Sequence, residues 1–412
     1  MNDSTNTSAH EFAVELRKTR YDGYRSYSYL EEADYEQFVL APELGRVPLY
    51  DLGLDEQQVE RTRRLIDENV IISLHDHPQV FPADMTQVRD YIRTGREHTG
   101  YLGLSRSGMT AVFDNLMDGT ACVTSKCGWK WDDIIYDIGT RLSDIAHQDY
   151  VTIAYGVEDI LQAHTDGRLA IVLSLEASTP IENEVDRIDI LYGLGVRQMG
   201  IAYSEANTLG SGLKERGDGG LTVFGRRAVE RMNKLGIAID VSHSGDRTCM
   251  DTYEQSTKPV LITHAGARAV WPTPRMKPDE VLLGCAQSGG VIGLEAAPHT
   301  SLSAKHPAHS IESVMDHFTY CVELMGIEHV AFGPDTLFGD HVALHKTFAA
   351  NLGVHDAQVG PKYDEVPYVA GLENPTENFF NIVGWLVKHG YSDEDIKAVT
   401  GGNILRVLRE IW

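Results

Sequence analysis

The feature that most constrains this chain is a series of short apolar, β-branched runs that alternate with longer amphipathic segments from about residue 66 onward. The runs occupy residues 70–74, 110–112, 169–175, 196–201, 237–241, 260–263, 291–294 and 329–333. Strands of a parallel sheet covered on both faces read as nearly continuous hydrophobic stretches. Eight of them separated by helical segments predict an α/β fold, a closed (β/α)8 TIM-like barrel rather than an open sheet. Between the runs, residues 182–194 keep apolar side chains at Val185, Ile188, Leu191 and Leu194 and stop at Gly195, while 224–235 stops at Gly236. Both patterns predict a helix that ends on glycine just before a strand.

Two C-terminal helices are predicted at 378–389 and 392–408, the second opened by Ser392 with Asp395 three positions on, as in a capping box. Residues 336–375 are rich in His, Gly and Pro and show no clear period. That is long for a connection, so the segment is expected to lie over a site or to form an oligomer contact such as that of a homodimer. Residues 1–65, charged and rich in tyrosine, read as an N-terminal extension packing on a barrel of residues 66–412.

Sixty acidic against 36 basic side chains give a net charge of -24. Such a surface repels polyanions, so nucleic acid and anionic membranes are not expected partners. The N-terminus lacks the basic and apolar regions of a secretory signal, and no stretch is apolar for long enough to span a bilayer, so a cytoplasmic enzyme is expected. Five cysteines are scattered and odd in number, which predicts free thiols rather than a disulfide framework. Cys122 and Cys127 have no second Cys or His pair beside them, so they are not read as a zinc ribbon.

Ligand-type residues stand directly after the strand runs, at the end where a barrel of this kind carries its active site. His75, Asp76 and His77 follow the first run; residues two apart on an extended end point the same way, so His75 and His77 can face one ion while Asp76 turns elsewhere. Glu176 follows the third run, His243 the fifth, His264 the sixth and Asp335 the eighth. Imidazoles and a carboxylate in that number suit zinc, as one or two ions, with manganese or another divalent ion as the other choice.

The chain also resembles the renal or membrane dipeptidases, a branch of the metal-dependent amidohydrolase barrels. The resemblance runs over about residues 66–412 and is carried by Asp166-Gly167-Arg168 leading to Leu175-Glu176, by Asp240-Val241-Ser242-His243, and by Pro259 to His264. Further matches are Arg275 to Glu280, Gly289-Gly290-Val291, His329 to Asp335, and Gly401 to Val407. It implies a metal site in which Glu176 bridges two ions, His75 and His77 hold one, and His243 and His264 hold the other. It also implies metal-activated water attacking an amide carbonyl, with Asp335 moving the proton to the leaving group. Arg275 stands where those enzymes hold the substrate's terminal carboxylate, so a small carboxylate-bearing substrate is implied.

The chain departs from that pattern in four places. The first strand carries His-Asp-His instead of His-x-Asp, which removes one negative charge from the site. After the fourth run, Ser204 stands where a histidine contacts the substrate; Tyr203 is the nearby substitute, and Asn207 matches. Glu176 is followed by Ala177 and Ser178 rather than two glycines, and Glu295 puts an acid after the seventh run. The lost histidine keeps open a second reading, the same metal barrel acting as a lactone hydrolase or as a lyase or decarboxylase.

Overall fold

The structure, a computed structural model, describes residues 18–116, 129–352 and 360–412; Cys122 and Cys127 lie outside them. Its strands in chain order are β1 (Ile72–Asp76), β2 (Gln79–Val80), β3 (His98–Thr99), β4 (Ala111–Asn115), β5 (Val151–Ile153), β6 (Leu169–Leu175), β7 (Val196–Gly200), β8 (Ala238–Asp240), β9 (Val260–Ala265), β10 (Ile292–Leu294) and β11 (Val330–Phe332). The parallel order is β1-β4-β6-β7-β8-β9-β10-β11, with β5 on β6, while β2 and β3 form a separate antiparallel pair. Each of the eight apolar runs is thus a barrel strand. The first and last strands meet at the C-terminal rim, where His77 N donates to Thr336 O at 2.8 Å and Asp335 N to His75 O at 2.9 Å.

Side chains alternate across each strand, and the apolar residues divide accordingly. Ile72, Leu74, Ala111, Phe113, Ala170, Val172, Ala238, Leu261 and Ala331 form one buried cluster inside the barrel. Ile404, Leu408 and Ile411 of the C-terminal helix join it and close the N-terminal end. The helix can seat there because a Cβ on Gly401 would lie 2.0 Å from Val70 O. The predicted 392–408 helix is present as one helical run, Asp393–Lys397 and Asn403–Ile411, joined by a π turn at Ala398–Gly402 that contains Gly401.

The predicted helix at 182–194 begins only at Asp186, because Thr179–Ile181 forms a 3-10 turn and Glu182 takes φ 54°. Residues 336–375, read as lacking a period, contain the helix His341–Leu352. Before the barrel, Tyr24 Oη and Tyr27 N both bond Asp144 Oδ1, at 2.8 and 2.7 Å, and the helix Glu56–Glu68 packs against Asn378–Lys388. No helix among the described residues is long and apolar enough to cross a membrane.

Candidate metal centre

Because every barrel strand runs the same way, the residues at the strand ends converge on one rim. His264 lies in β9, Glu176 directly follows β6, and His243 and Asp335 each stand three residues beyond β8 and β11. His243 Nε2 is 2.8 Å from Glu176 Oε1, His264 Nε2 is 3.3 Å from the same oxygen, and the two nitrogens are 2.9 Å apart. On the other side, His77 Nε2 and His75 Nε2 lie 3.0 and 3.5 Å from Asp335 Oδ1. The halves touch where the His75 and His264 rings stack with centroids 3.5 Å apart. Among the described residues, two three-residue groups are close enough to grip a cation: Glu176, His243 and His264, and His75, His264 and Asp335. His77 belongs to neither and reaches the second through Asp335.

Asp76 turns away from this centre, accepting from Ser73 Oγ at 2.5 Å and from Thr336 N and Oγ1, both at 2.7 Å. Burial pushes its carboxyl up to about 7. Burial holds the His75 imidazole below its ordinary value and those of His243 and His264 well below it, with the Arg275 charge adding to the effect at the last two. Three neutral rings therefore present lone pairs in a buried space, the protonation state a metal requires. For Asp335 burial acts upward, but the hydrogen bonds of His75 and His77 outweigh it and hold the carboxylate well below its usual range.

The donor set fits a divalent ion on the structure's own terms. Two neutral Nε2 atoms 2.9 Å apart can share at most one hydrogen, whereas a cation among them and Glu176 satisfies all three lone pairs at once. Support from behind exists at His264, whose Nδ1 is 3.0 Å from Thr263 Oγ1; that hydroxyl is 3.1 Å from Ser242 Oγ, which donates to Asp240 Oδ1 at 2.6 Å. Such contacts orient a ligating ring.

The remaining sequence candidates fare differently. Tyr203 stacks on His243 with centroids 4.0 Å apart and is met edge-on by Trp129. Ser204 is buried, with its backbone carbonyl accepting from Lys214 N at 2.9 Å. The Asn207 amide is used by its own loop: Nδ2 donates to Ile201 O at 2.8 Å, and Oδ1 accepts from Leu209 N at 2.8 Å. Ser178 donates to Gly200 O at 2.6 Å, filling the floor beside Glu176. Arg275 Nη2 donates to His264 O at 2.9 Å, and the same guanidinium is ion-paired with Glu295.

Two contributors were not read from the sequence. Asn115, ending β4, brings Nδ2 to 3.3 Å from His75 Nε2 and accepts from Glu176 N at 3.1 Å. Its signal was available, since it is a polar residue after an apolar run like the others. His341, on the helix over the rim, places its ring 6.4 Å from that of His77 and 4.3 Å from that of His345.

The model of the membrane dipeptidase family, peptidase family M19, matches residues 140–345 and 339–412. The chain belongs to the membrane dipeptidase family. His75 and His77 precede the stretch matched by the family model. Curated relatives include dipeptidase tcpJ of Claviceps purpurea, 26% identical over 67% of this chain and 58% of that protein. Dipeptidase aclJ of Aspergillus oryzae is 27% identical over 64% of this chain and 57% of that protein. The chain thus spans somewhat over half the length of these dipeptidase relatives. Among solved structures, an amidohydrolase from Pseudomonas aeruginosa superposes with a TM-score of 0.70 at 23% identity, over 85% of this chain and 99% of that one. A metallo peptidase from Rhodobacter sphaeroides, liganded with a phosphinate mimic of L-Ala-D-Ala, gives 0.65 at 19%, over 84% and 100%. Both share the fold with this member of the dipeptidase family.

Proposed function

We propose that this chain is a metal-dependent hydrolase that cleaves an amide bond in a small peptide-like substrate. The observation that carries the reading is the meeting of Glu176, His243 and His264 within 3.3 Å of one another, joined through the stacked His75 to Asp335. In a chain of the dipeptidase family, this set is the natural holder of one or two zinc ions, or of manganese or another divalent ion. Glu176, His243 and His264 would hold one ion; the resemblance assigns His75 and His77 to a second, where the geometry groups His75 with His264 and Asp335. A bound ion supplies Lewis-acid polarisation of a carbonyl and a water acidic enough to react at neutral pH.

The protein's own groups do the rest. Asp335, ionised and steadied by His75 and His77, takes up a proton at its carboxylate and returns it to the leaving amine. Tyr203, stacked on His243 and next to Ser204 in the chain, is the donor we assign in place of the missing histidine; Asn207 braces the loop that carries both. Use of Arg275 as a clamp for a substrate carboxylate sets that carboxylate in competition with Glu295 for the guanidinium. The same reading takes 1–65 as an extension on a catalytic barrel of 66–412 and places the enzyme in the cytoplasm, in keeping with the free thiols of Cys249, Cys285 and Cys321.

The test is turnover of L,L- and L,D-dipeptides, as free acids and as C-terminal amides, by the metal-loaded protein. Hydrolysis of members of the panel is expected, with Ser204→His raising the rate by up to about a hundred-fold. Bound metal with no hydrolysis of any member would sink the amide-bond reading.

A further inference from the structure

The charges at the barrel mouth decide which end groups a small substrate can carry there. Arg275 brings a guanidinium against the ligand-bearing strand ends: Nη2 donates to His264 O at 2.9 Å and Nη1 to Ser242 O at 3.4 Å. Lys277, two residues on, is fully buried and directs Nζ to Ser244 O at 2.8 Å. An anionic end group arriving beside the metal ligands would therefore fall to Arg275.

Arg275 already has an anion. Glu295, the first residue beyond β10, is wholly buried and meets Nη2 through Oε2. It is held in place from behind, since its N–H donates to Ala265 O at 3.1 Å and Ser301 Oγ reaches Oε1 at 3.5 Å. Burial pushes the Glu295 carboxyl up to about 6, Arg275 acts against this, and Asp335 adds to it, so the two acids sense one another's charge. A substrate carboxylate at Arg275 would be a second anion on a guanidinium that Glu295 already holds. To take the Nη2 edge of the guanidinium it would have to strand Glu295 in a buried space, and losing one partner of a buried ion pair is a penalty on the order of a hundred- to a thousand-fold. A neutral carbonyl can instead accept from the guanidinium without displacing anything.

We infer that Glu295 is a specificity-determining residue: by occupying Arg275 from within the barrel wall, it selects a peptide-like substrate whose end at that position is uncharged, a C-terminal amide rather than a free acid. This rests on the amide-hydrolase reading for the identity of the pocket, but it is a statement about binding and is tested as one.

The probes are the non-hydrolysable phosphinate analogue of Ala-Ala and its C-terminal amide, titrated calorimetrically into metal-loaded wild type and Glu295→Gln, with folding checked by circular dichroism. The amide is expected to bind wild type at least about ten-fold more tightly than the acid. Glu295→Gln, which keeps the shape and removes the charge, is expected to tighten the acid by about ten-fold or more and to leave the amide within about three-fold. Should that variant not fold, Glu295→Ala carries the same comparison. Equal or tighter binding of the acid by wild type overturns the inference, as does an unchanged preference in the variant or failure of wild type to bind either probe. A preference for the amide probe in a protein that hydrolyses no amide bond supports the selection and counts against the hydrolase reading alone.

Discussion

Gly200 is where the architecture of the centre can be broken by a single methyl group. It ends β7, pairs with Asp240 across β8, and accepts Ser178 Oγ at 2.6 Å. A Cβ there would lie 1.8 Å from Glu176 O, where ordinary contact begins near 3.4 Å, so one backbone must move by about 1.6 Å. Both are backbone in a filled layer, and no side chain can swing aside. Overpacking of this kind costs ~3 kcal/mol, a fall in melting temperature of roughly 3–4 °C for a chain of 412 residues. The displaced residue is Glu176 itself, and a shift of ~1 Å at such a group lowers activity on the order of a hundred-fold. Gly200→Ala should therefore lower both melting temperature and metal per chain, read by calorimetry and by inductively coupled plasma mass spectrometry. The control is Gly139→Ala, on an exposed helix face with nothing within 4 Å of the new methyl; it should gain ~1 kcal/mol and leave metal binding alone. A Gly200→Ala protein with wild-type metal content and stability would refute the reasoning that Glu176 is placed by backbone contact.

Other expectations follow from buried charge. Arg141 is buried and bonds Asp114 Oδ2 and Asp137 Oδ1, each at 3.1 Å, with Glu97 3.8 Å away, so Arg141→Met should cost about 3–5 kcal/mol in urea unfolding by leaving carboxylates uncompensated. A loss below about 1 kcal/mol would show the network to be dispensable. His317 accepts from Ala267 N at 2.9 Å and lies 2.7 Å from Leu302 O, and burial holds it down to about 4. The unfolded chain binds the extra proton first, so this contribution is complete above about pH 6.5 and falls away on acidification toward pH 4, by on the order of 3 kcal/mol. His317→Asn should flatten stability against pH across that window, and an unchanged slope would assign the acid sensitivity elsewhere.

The barrel was legible because its signal is local and repeated: each apolar run carries its own evidence of burial, and the ligand-type residues sit at fixed places relative to the runs. Asn115 escaped because the second run, at 110–112, stops before Asp114, a buried carboxylate paired with Arg141 and bonded by Gln79. The helix His341–Leu352 escaped because apolar and polar residues are mixed around it with no stripe, so its place over the rim depends on tertiary contact. The pairing of Arg275 with Glu295 joins a residue of the loop after β9 to the end of β10 and has no sequence periodicity to announce it. Asn207 matched a family motif by type, but its amide is spent on its own loop, a distinction that only hydrogen-bond geometry reveals.

The account rests on a cation held by Glu176, His243 and His264, and metal stoichiometry tests it most directly. Protein dialysed against metal-free buffer without chelator should retain at least about one equivalent of divalent metal per chain, and a His243→Ala, His264→Ala double variant that folds normally should retain much less than half of the wild-type amount. Wild-type protein that holds no metal, and takes up none when titrated with zinc or manganese, would contradict it.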